Sequence, residues 1–447
     1  MLDCQLMDFR DEKAKVPKEI DEILNNFFLF CVIWAFGGVL EEVSRPKFHE
    51  FIVELITGRN VNDKYKLDLS NWEPRGFPYK LNETKNIFDI CYDKNKNLWL
   101  NWMQLIPAYK TQKNQEFHEL IIPTIDLVRN NYFLNMYVKN HYHLLITGPT
   151  GTGKTVNIVN ELNKNYFNED YTNLCTGFSG QTQANQIQRI IESKVNTKRR
   201  KGYFGPEDRK KFIVIFIDDL NMPAKEKSGC QPPIELLRQW MDDGGWYDLE
   251  TKEFKFLCDI AFVSAMGPPS QGRNSITGRY TRHYNVLYAE PFENSSLVRI
   301  FNNILEWFFM NNSTNFVKSV TNLQESIVTS TILLYTTIKN SKELLPTPAK
   351  SHYIYNLRDI SKVFQGITKA SFKSVRDDND FIKLWAHECM RVFQDRMINE
   401  QDLSFFEGIL KNIILTKFKR EWNMIVNVEP LLWATFVPTI YPDNVLL

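Results

Sequence analysis

The amino-acid sequence predicts an α/β fold: a mainly parallel sheet between helices, with a helical leader before it and an all-α segment after it. Three observations carry that prediction. Between 115 and 310, apolar runs of strand length alternate with helix-compatible stretches. A glycine-rich octapeptide joins the first of those runs to a helix. From about 295 onward, apolar residues recur at helical spacing.

Taken in order, the leader places Ile20, Ile23, Leu24 and Phe27 at helical spacing, and then Phe48, Phe51, Ile52 and Leu55. Its most apolar run, Phe27 to Phe36, is ten residues long and stops at Gly37-Gly38. A bilayer span needs about 20 residues, so the run reads as a buried core helix. From Gly76 to Pro107 the texture turns β-like: Ile87 to Tyr92, a polar turn, and Leu98 to Met103 predict a hairpin. Strands are expected at 144–146, 212–217 and 260–265, with helices after Lys154 and after Pro233. Pro232-Pro233 suits a helix start, where a missing N–H costs nothing. Ile234, Leu237 and Met241 share one face of that helix, and Gly244-Gly245 ends it. Further on, Leu357, Ile360, Phe364 and Ile367 form one stripe, and Phe381, Trp385 and Val392 another. Leu344 to Pro348 marks a boundary region inside or beside the helical part. The expected segments are a leader (1–80), an α/β core (81–310), a helical lid (311–420) and a connector (421–447).

Net charge is +1 over 447 residues, with 43% hydrophobic and 24% charged residues. No bulk field draws such a chain to nucleic acid or to an acidic membrane, and neither is an expected partner. Seven cysteines form no CxxC and seven histidines no metal spacing, which argues for reduced thiols in an intracellular compartment and against a zinc site. Asp3, Asp8, Asp11 and Glu12 stand where a secretory signal would carry basic residues. The basic run Lys198 to Lys201 reads as a solvated loop.

Gly148-Pro149-Thr150-Gly151-Thr152-Gly153-Lys154-Thr155 is a complete GxxxxGK[ST] loop, preceded by an apolar run and followed by a helix-compatible one. Its glycines let the backbone curl so that successive N–H groups point at phosphate oxygens, at the positive end of the helix. Lys154 is expected on the β- and γ-phosphates and the Thr155 hydroxyl on Mg²⁺. Downstream, the strand ending at Ile217 runs into Asp218-Asp219. An acid at the C-terminal end of a buried parallel strand lies at the ligand edge of the sheet. Asp218 is expected to hold Mg²⁺ through water, and Asp219 to stand where a carboxylate orients and deprotonates the attacking water. The cofactors implied are ATP or ADP with Mg²⁺. ATPases with this loop and a helical lid usually carry Glu at the second acid, so Asp219 is a methylene short. A retreat of roughly 1 Å can cost on the order of 10²-fold in rate.

The stretch that follows is more particular. Asp218-Asp219-Leu220-Asn221-Met222-Pro223-Ala224-Lys225 leads into Gln231-Pro232-Pro233-Ile234-Glu235-Leu236-Leu237-Arg238-Gln239-Trp240 and Gly244-Gly245-Trp246-Tyr247. Ala265-Met266-Gly267-Pro268-Pro269, Gly272-Arg273-Asn274 and Arg279-Tyr280-Thr281-Arg282-His283 come next. Together these resemble the third AAA+ module of axonemal dynein heavy chains. Tyr355-Asn356-Leu357-Arg358-Asp359 and Trp385-Ala386-His387-Glu388 resemble its helical lid, and Phe27 to Gly38 the segment entering from the second module.

The resemblance implies an AAA+ P-loop NTPase core, a β-hairpin insert at Trp246 to Phe256, and a set of site residues. Arg358 matches the lid arginine that reaches the γ-phosphate; a surface pair with Asp359 is the competing reading. Arg279 and Arg282 stand where a module offers an arginine finger to the preceding module's nucleotide, with a helix-end cation as the alternative and no choice between the two. Ile122-Pro123-Thr124 resembles the adenine-side wall, or is a plain strand-to-turn segment. Gly267 replaces the polar first-sensor residue that would hold the catalytic water. The resemblance implies an ATP-binding module that gates a dynein ring in the cytoskeleton of a cilium or flagellum, with slow or negligible turnover. Its partners are neighbouring modules, and microtubules only through parts absent from this sequence. A self-sufficient ATPase and a non-catalytic scaffold are the alternatives.

Overall fold

The computed structural model describes residues 20–57, 86–93, 96–109, 115–164, 169–270, 272–311, 316–371, 373–426 and 430–433. The chain divides into two compact units, Met1–Ile106 with Ile125–Pro291, and Pro107–Thr124 with Phe292–Leu447.

In the first unit the strands run, in chain order, β1 (Ile90–Asp93), β2 (Leu98–Asn101), β3 (Leu144–Thr147), β4 (Tyr171–Gly177), β5 (Thr197–Arg200), β6 (Tyr203–Gly205), β7 (Phe212–Asp218), β8 (Gly245–Tyr247), β9 (Phe254–Leu257), β10 (Ile260–Met266) and β11 (Asn285–Tyr288). The main sheet is parallel throughout, in the order β11-β3-β10-β7-β4. Its central strands are apolar without alternation because both faces are covered. Ile213, Ile215 and Ile217 of β7 enter a core with Leu237, Trp240 and Trp246. Val214 and Phe216 enter the opposite core with Phe133, Ile158 and Leu162.

The leader is part of this second core rather than a body of its own. Helix Ile20–Gly37 buries Ile23, Phe27, Phe30, Ile33 and Trp34, while Leu24, expected on that stripe, is 37% exposed. This helix is 18 residues long and apolar enough to cross a membrane by length and composition, longer than the ten-residue run suggests. Here Trp34 packs on Phe133, Phe88 and Trp102 at ring-centroid distances of 4.6, 5.5 and 6.2 Å. Helix Arg45–Thr57 follows, and the antiparallel pair β1 and β2 forms the expected hairpin. Arg45, 2% exposed, pairs with Glu290 at 2.5 Å and donates to the carbonyls of Leu40 and Tyr288, tying the leader to the end of β11. The part of the expected leader from 58 to 80 lies outside the described residues.

A second sheet, β5-β6-β9-β8, stands beside the main one. Its β8–β9 pair is the expected hairpin after helix Pro232–Asp243. The basic run is not a solvated loop: Lys198 to Arg200 lies in β5, paired antiparallel with β6, which in turn pairs parallel with β9. Arg199 donates to the Pro206 carbonyl, and Arg200 stacks 3.8 Å over Tyr203, so both cations have partners within the fold.

The second unit is helical, with helices Asn294–Asn311, Gln324–Asn340, Leu357–Ile367, Asp378–Cys389 and Glu400–Ile413. Ile360, Val363, Phe364 and Ile367 are buried in its core, and Phe301 stacks on Phe364 at 4.4 Å. Leu344 is buried in this core, so of the two places expected for the segment 344–348, inside or beside the helical part, the structure has it inside, and the division between units falls elsewhere. The division falls at Pro291/Phe292 instead of 310, because Leu297, Phe301, Ile304, Leu305 and Phe308 of helix Asn294–Asn311 face this core. Most of the expected connector, 427–429 and 434–447, lies outside the described residues.

Candidate nucleotide-binding site

The sheet order places three strand ends side by side: β3, β10 and β7. Met266 at the end of β10 is in register with Thr147 of β3, and Ser264 with Ile217 of β7. The loops leaving those ends therefore gather at the carboxyl edge, where parallel sheets bind ligands.

The loop after β3 has the curled backbone that its glycines permit. Gly148, Gly151 and Gly153 take φ of +151°, +83° and +71°. At Gly148 a Cβ would come 2.3 Å from the Ala289 carbonyl oxygen, so no side chain fits there. Gly153 caps helix Lys154–Leu162 in a left-handed conformation, aiming the first N–H groups of that helix into the loop. Lys154 Nζ donates to the carbonyls of Gly148 and Pro149 at 2.9 and 2.7 Å and to Thr152 Oγ1 at 3.2 Å. Thr152 in turn donates to the Pro149 carbonyl. The ammonium thus sits at the mouth of the loop.

Thr155 and Asp218, 63 residues apart, meet directly: Thr155 Oγ1 donates to Asp218 Oδ2 at 2.8 Å. The other carboxylate oxygen accepts from the Asp219 N–H at 2.9 Å. A hydroxyl and a carboxylate converging beside the lysine are hard oxygen donors of the kind Mg²⁺ takes, and these two residues would hold it.

Asp219 has φ +49°, in the left-handed region. The chain turns sharply there, and the N–H of Leu220 returns to the Ala265 carbonyl. The Asp219 side chain is 44% exposed and is held by Arg273, whose Nη2 lies 2.9 Å from Oδ1. Arg273 follows a tight turn in which Ser270 and Arg273 exchange backbone hydrogen bonds. The guanidinium lies alongside Gly267: a Cβ there would fall 1.8 Å from Arg273 Nη1. Asn221, fully buried, donates to the Gly267 carbonyl at 2.7 Å and fixes the end of β10. Sequence reasoning names Gly267 and Asp219 separately and misses the arginine that joins them. The tripeptide Gly272-Arg273-Asn274 is visible in the sequence, but only the turn brings its side chain back across six positions (273 − 267).

The two finger candidates sit in different surroundings. Arg282 is paired with Asp242 at 2.6 Å, beside Arg238 and His283, and that hydrogen bond from Arg282 holds the Asp242 carboxyl below its usual range. Arg279 is exposed, and its side chain has no hydrogen-bond or ion-pair partner among the described residues. Beside them Tyr280 and Tyr284, hydrogen-bonded at 2.7 Å, anchor the segment in the core.

Arg358 and the segment Ile122-Pro123-Thr124 belong to the helical unit. Arg358 is exposed at the start of its helix, and Asp359 pairs with Arg396 at 2.7 Å and with Lys362, not with Arg358. Ile122 is buried in the helical core and Thr124 is 2% exposed.

Comparison with known proteins agrees with this geometry. Residues 109–292 match the family of the P-loop containing dynein motor region, 327–425 the AAA+ lid domain, and 1–104 the dynein heavy chain AAA lid domain. Dynein axonemal heavy chain 1 of Mus musculus is 40% identical over 98% of this chain. Dynein axonemal heavy chain 3 of Homo sapiens is 40% identical over 91%, and dynein axonemal heavy chain 12 of Mus musculus 38% identical over 89%. The chain spans 10%, 10% and 13% of the length of those three relatives. With an AAA+ P-loop core, a helical lid and this similarity along nearly its whole length, the chain belongs to the axonemal dynein heavy chain family.

Proposed function

We propose that this chain is the third AAA+ module of a dynein ring, binding ATP or ADP with Mg²⁺ and gating the ring, with slow or negligible hydrolysis of its own. The observation that carries the nucleotide-binding part is the meeting of Lys154, Thr155 and Asp218 at the carboxyl edge of the sheet. The bound metal would offset charge on the β- and γ-phosphates. In hydrolysis the water oxygen bonds to the γ-phosphorus as the bond from that phosphorus to the β–γ bridging oxygen breaks. ADP and phosphate result, and the water proton passes to a carboxylate. Asp219 is the carboxylate at hand, but it is short and engaged by Arg273. Gly267 brings no side chain to hold the water. The gating reading rests on that impairment.

The wider reading follows from the family. The chain works in the axoneme of a cilium or flagellum, beside neighbouring AAA+ modules and away from direct microtubule contact. Its leader is the end of the preceding module, a reading supported by the lid-family match at 1–104. Of the two arginines offered to the preceding module, Arg279 is the one with a free side chain, while Arg282 is bound to Asp242. Arg358, exposed and unpaired with Asp359, is free to act as the lid arginine, with Ile122 to Thr124 as the adenine-side wall.

The test is a titration of the purified chain with a fluorescent ATP analogue in Mg²⁺, with phosphate release followed in the same samples. Binding that Lys154→Ala abolishes, with little phosphate release, is the expected result. Robust release from the unaltered chain would replace the gating reading with a self-sufficient ATPase. Absence of Lys154-dependent binding would leave only a scaffold.

A further inference from the structure

We propose that Arg273 is a positioning residue that restrains hydrolysis from within the chain: it occupies the space left open by Gly267 and holds Asp219 in an ion pair. The inference deepens the nucleotide-site reading above and rests on it. Two features of the site, a short acid and a missing sensor side chain, look in sequence like independent losses. In the structure they are one arrangement.

The guanidinium of Arg273 passes so close to Gly267 that a Cβ there would lie 1.8 Å from Nη1, 2.9 Å from Cζ and 3.2 Å from Cδ. Any side chain at 267 and Arg273 in this pose are therefore mutually exclusive. Gly267 is where the neighbouring peptide is locked by buried Asn221, so the backbone does not retreat to make room. The arginine is also anchored at its base. The Ser270–Arg273 turn closes on itself, the Asn274 N–H donates to the Asn221 carbonyl at 2.9 Å, and its side chain donates to the Pro223 carbonyl at 2.8 Å. The loop carrying Arg273 and the loop carrying Asp219 are thus pinned together at the same place.

Asp219 Oδ1 accepts from Arg273 Nη2 at 2.9 Å. A carboxylate engaged by a guanidinium has one oxygen committed and is held in place by it, so it is not free to turn toward the attacking water. Arg273 is only 20% exposed, so solvent screens the pair incompletely. Releasing the reactive carboxylate from this partner is expected to alter the rate about tenfold. Placed next to the catalytic carboxylate, the arginine keeps turnover low while leaving the phosphate loop untouched.

The experiment measures single-turnover phosphate release and affinity for the fluorescent ATP analogue in the full chain, for Arg273→Ala, Arg273→Lys, Asp219→Ala and Arg273→Ala/Asp219→Ala. Arg273→Ala is expected to raise release about tenfold with affinity unchanged, Arg273→Lys to keep most of the restraint, and the Asp219→Ala background to cancel the gain. Release unchanged or lowered in Arg273→Ala, with analogue still bound, would overturn the restraint and leave the nucleotide site standing. A gain that persists without Asp219 would overturn it too, since the arginine would then act through another group. Loss of Lys154-dependent binding in the unaltered chain would remove the nucleotide reading itself, and the restraint with it.

Discussion

At the scale of single residues, the site's chemistry is decided by which groups find partners. His143, just before β3, shows how strongly such pairing constrains a titratable group. Its Nδ1 accepts the Phe262 backbone N–H at 3.0 Å, which requires that nitrogen to carry no proton. Burial, with a smaller contribution from His283, pushes its pKa down to about 4. The folded value is thus below the unfolded one of about 6.5, so the stabilisation is complete above pH 6.5 and is lost as pH falls toward 4. A melting series from pH 7.5 to 4 should show a progressive loss of up to about 3 kcal/mol, since each pH unit separating the two values is worth about 1.36 kcal/mol. His143→Gln should flatten that slope; an unchanged slope would place the acid sensitivity elsewhere. The glycine-rich loop, by contrast, is legible at this scale, because the carbonyls that Lys154 meets, those of Gly148 and Pro149, lie within the motif itself, whereas Thr155 meets Asp218 only through the fold.

At the scale of elements, capping and periodicity account for most of what the sequence announces. Helix Pro232–Asp243 begins at a proline pair and ends at Gly244, whose φ of +74° places it in the left-handed region. A Cβ at Gly244 would touch nothing within 4 Å, so Gly244→Ala isolates the backbone cost from any clash. That substitution should destabilise the α/β unit by about 1 kcal/mol, read by chemical denaturation, with nucleotide affinity retained. A neutral result would mean that the cap relaxes into another turn. The stripes at 360–367 and 381–392 are equally readable, since helical faces follow a fixed period. The strand β5 is not, because its partner β6 and the next strand β9 are set by a parallel pairing between segments about 50 residues apart. No local preference in Lys198-Arg199-Arg200 predicts a strand.

At the scale of the whole molecule, the leader shares the core of the α/β unit. Phe30, Trp34, Trp102 and Phe133 are each buried, and full burial of such side chains contributes roughly 1.5–3 kcal/mol apiece. A chain starting at residue 109, the edge of the matched motor family, should therefore expose this aromatic cluster and bind an apolar-surface dye or precipitate. Cooperative unfolding at the midpoint of the full chain would show instead that the leader is dispensable. The sequence by itself determined the α/β class, the phosphate loop and the acid pair, since each rests on short-range spacing or on strand-to-helix order. It also held the resemblance to axonemal dynein heavy chains, which the family matches bear out at the level of the family. Tertiary structure alone decided that the leader belongs to the α/β core, that the helical unit takes Phe292 onward together with Pro107–Thr124, and that Arg282 is bound where Arg279 is free. It alone joined Gly267, Arg273 and Asp219 into one contact. The physical reason is common to all of these: each depends on packing or charge pairing between residues brought together by a turn or a crossover, and no period or motif along the chain encodes that meeting.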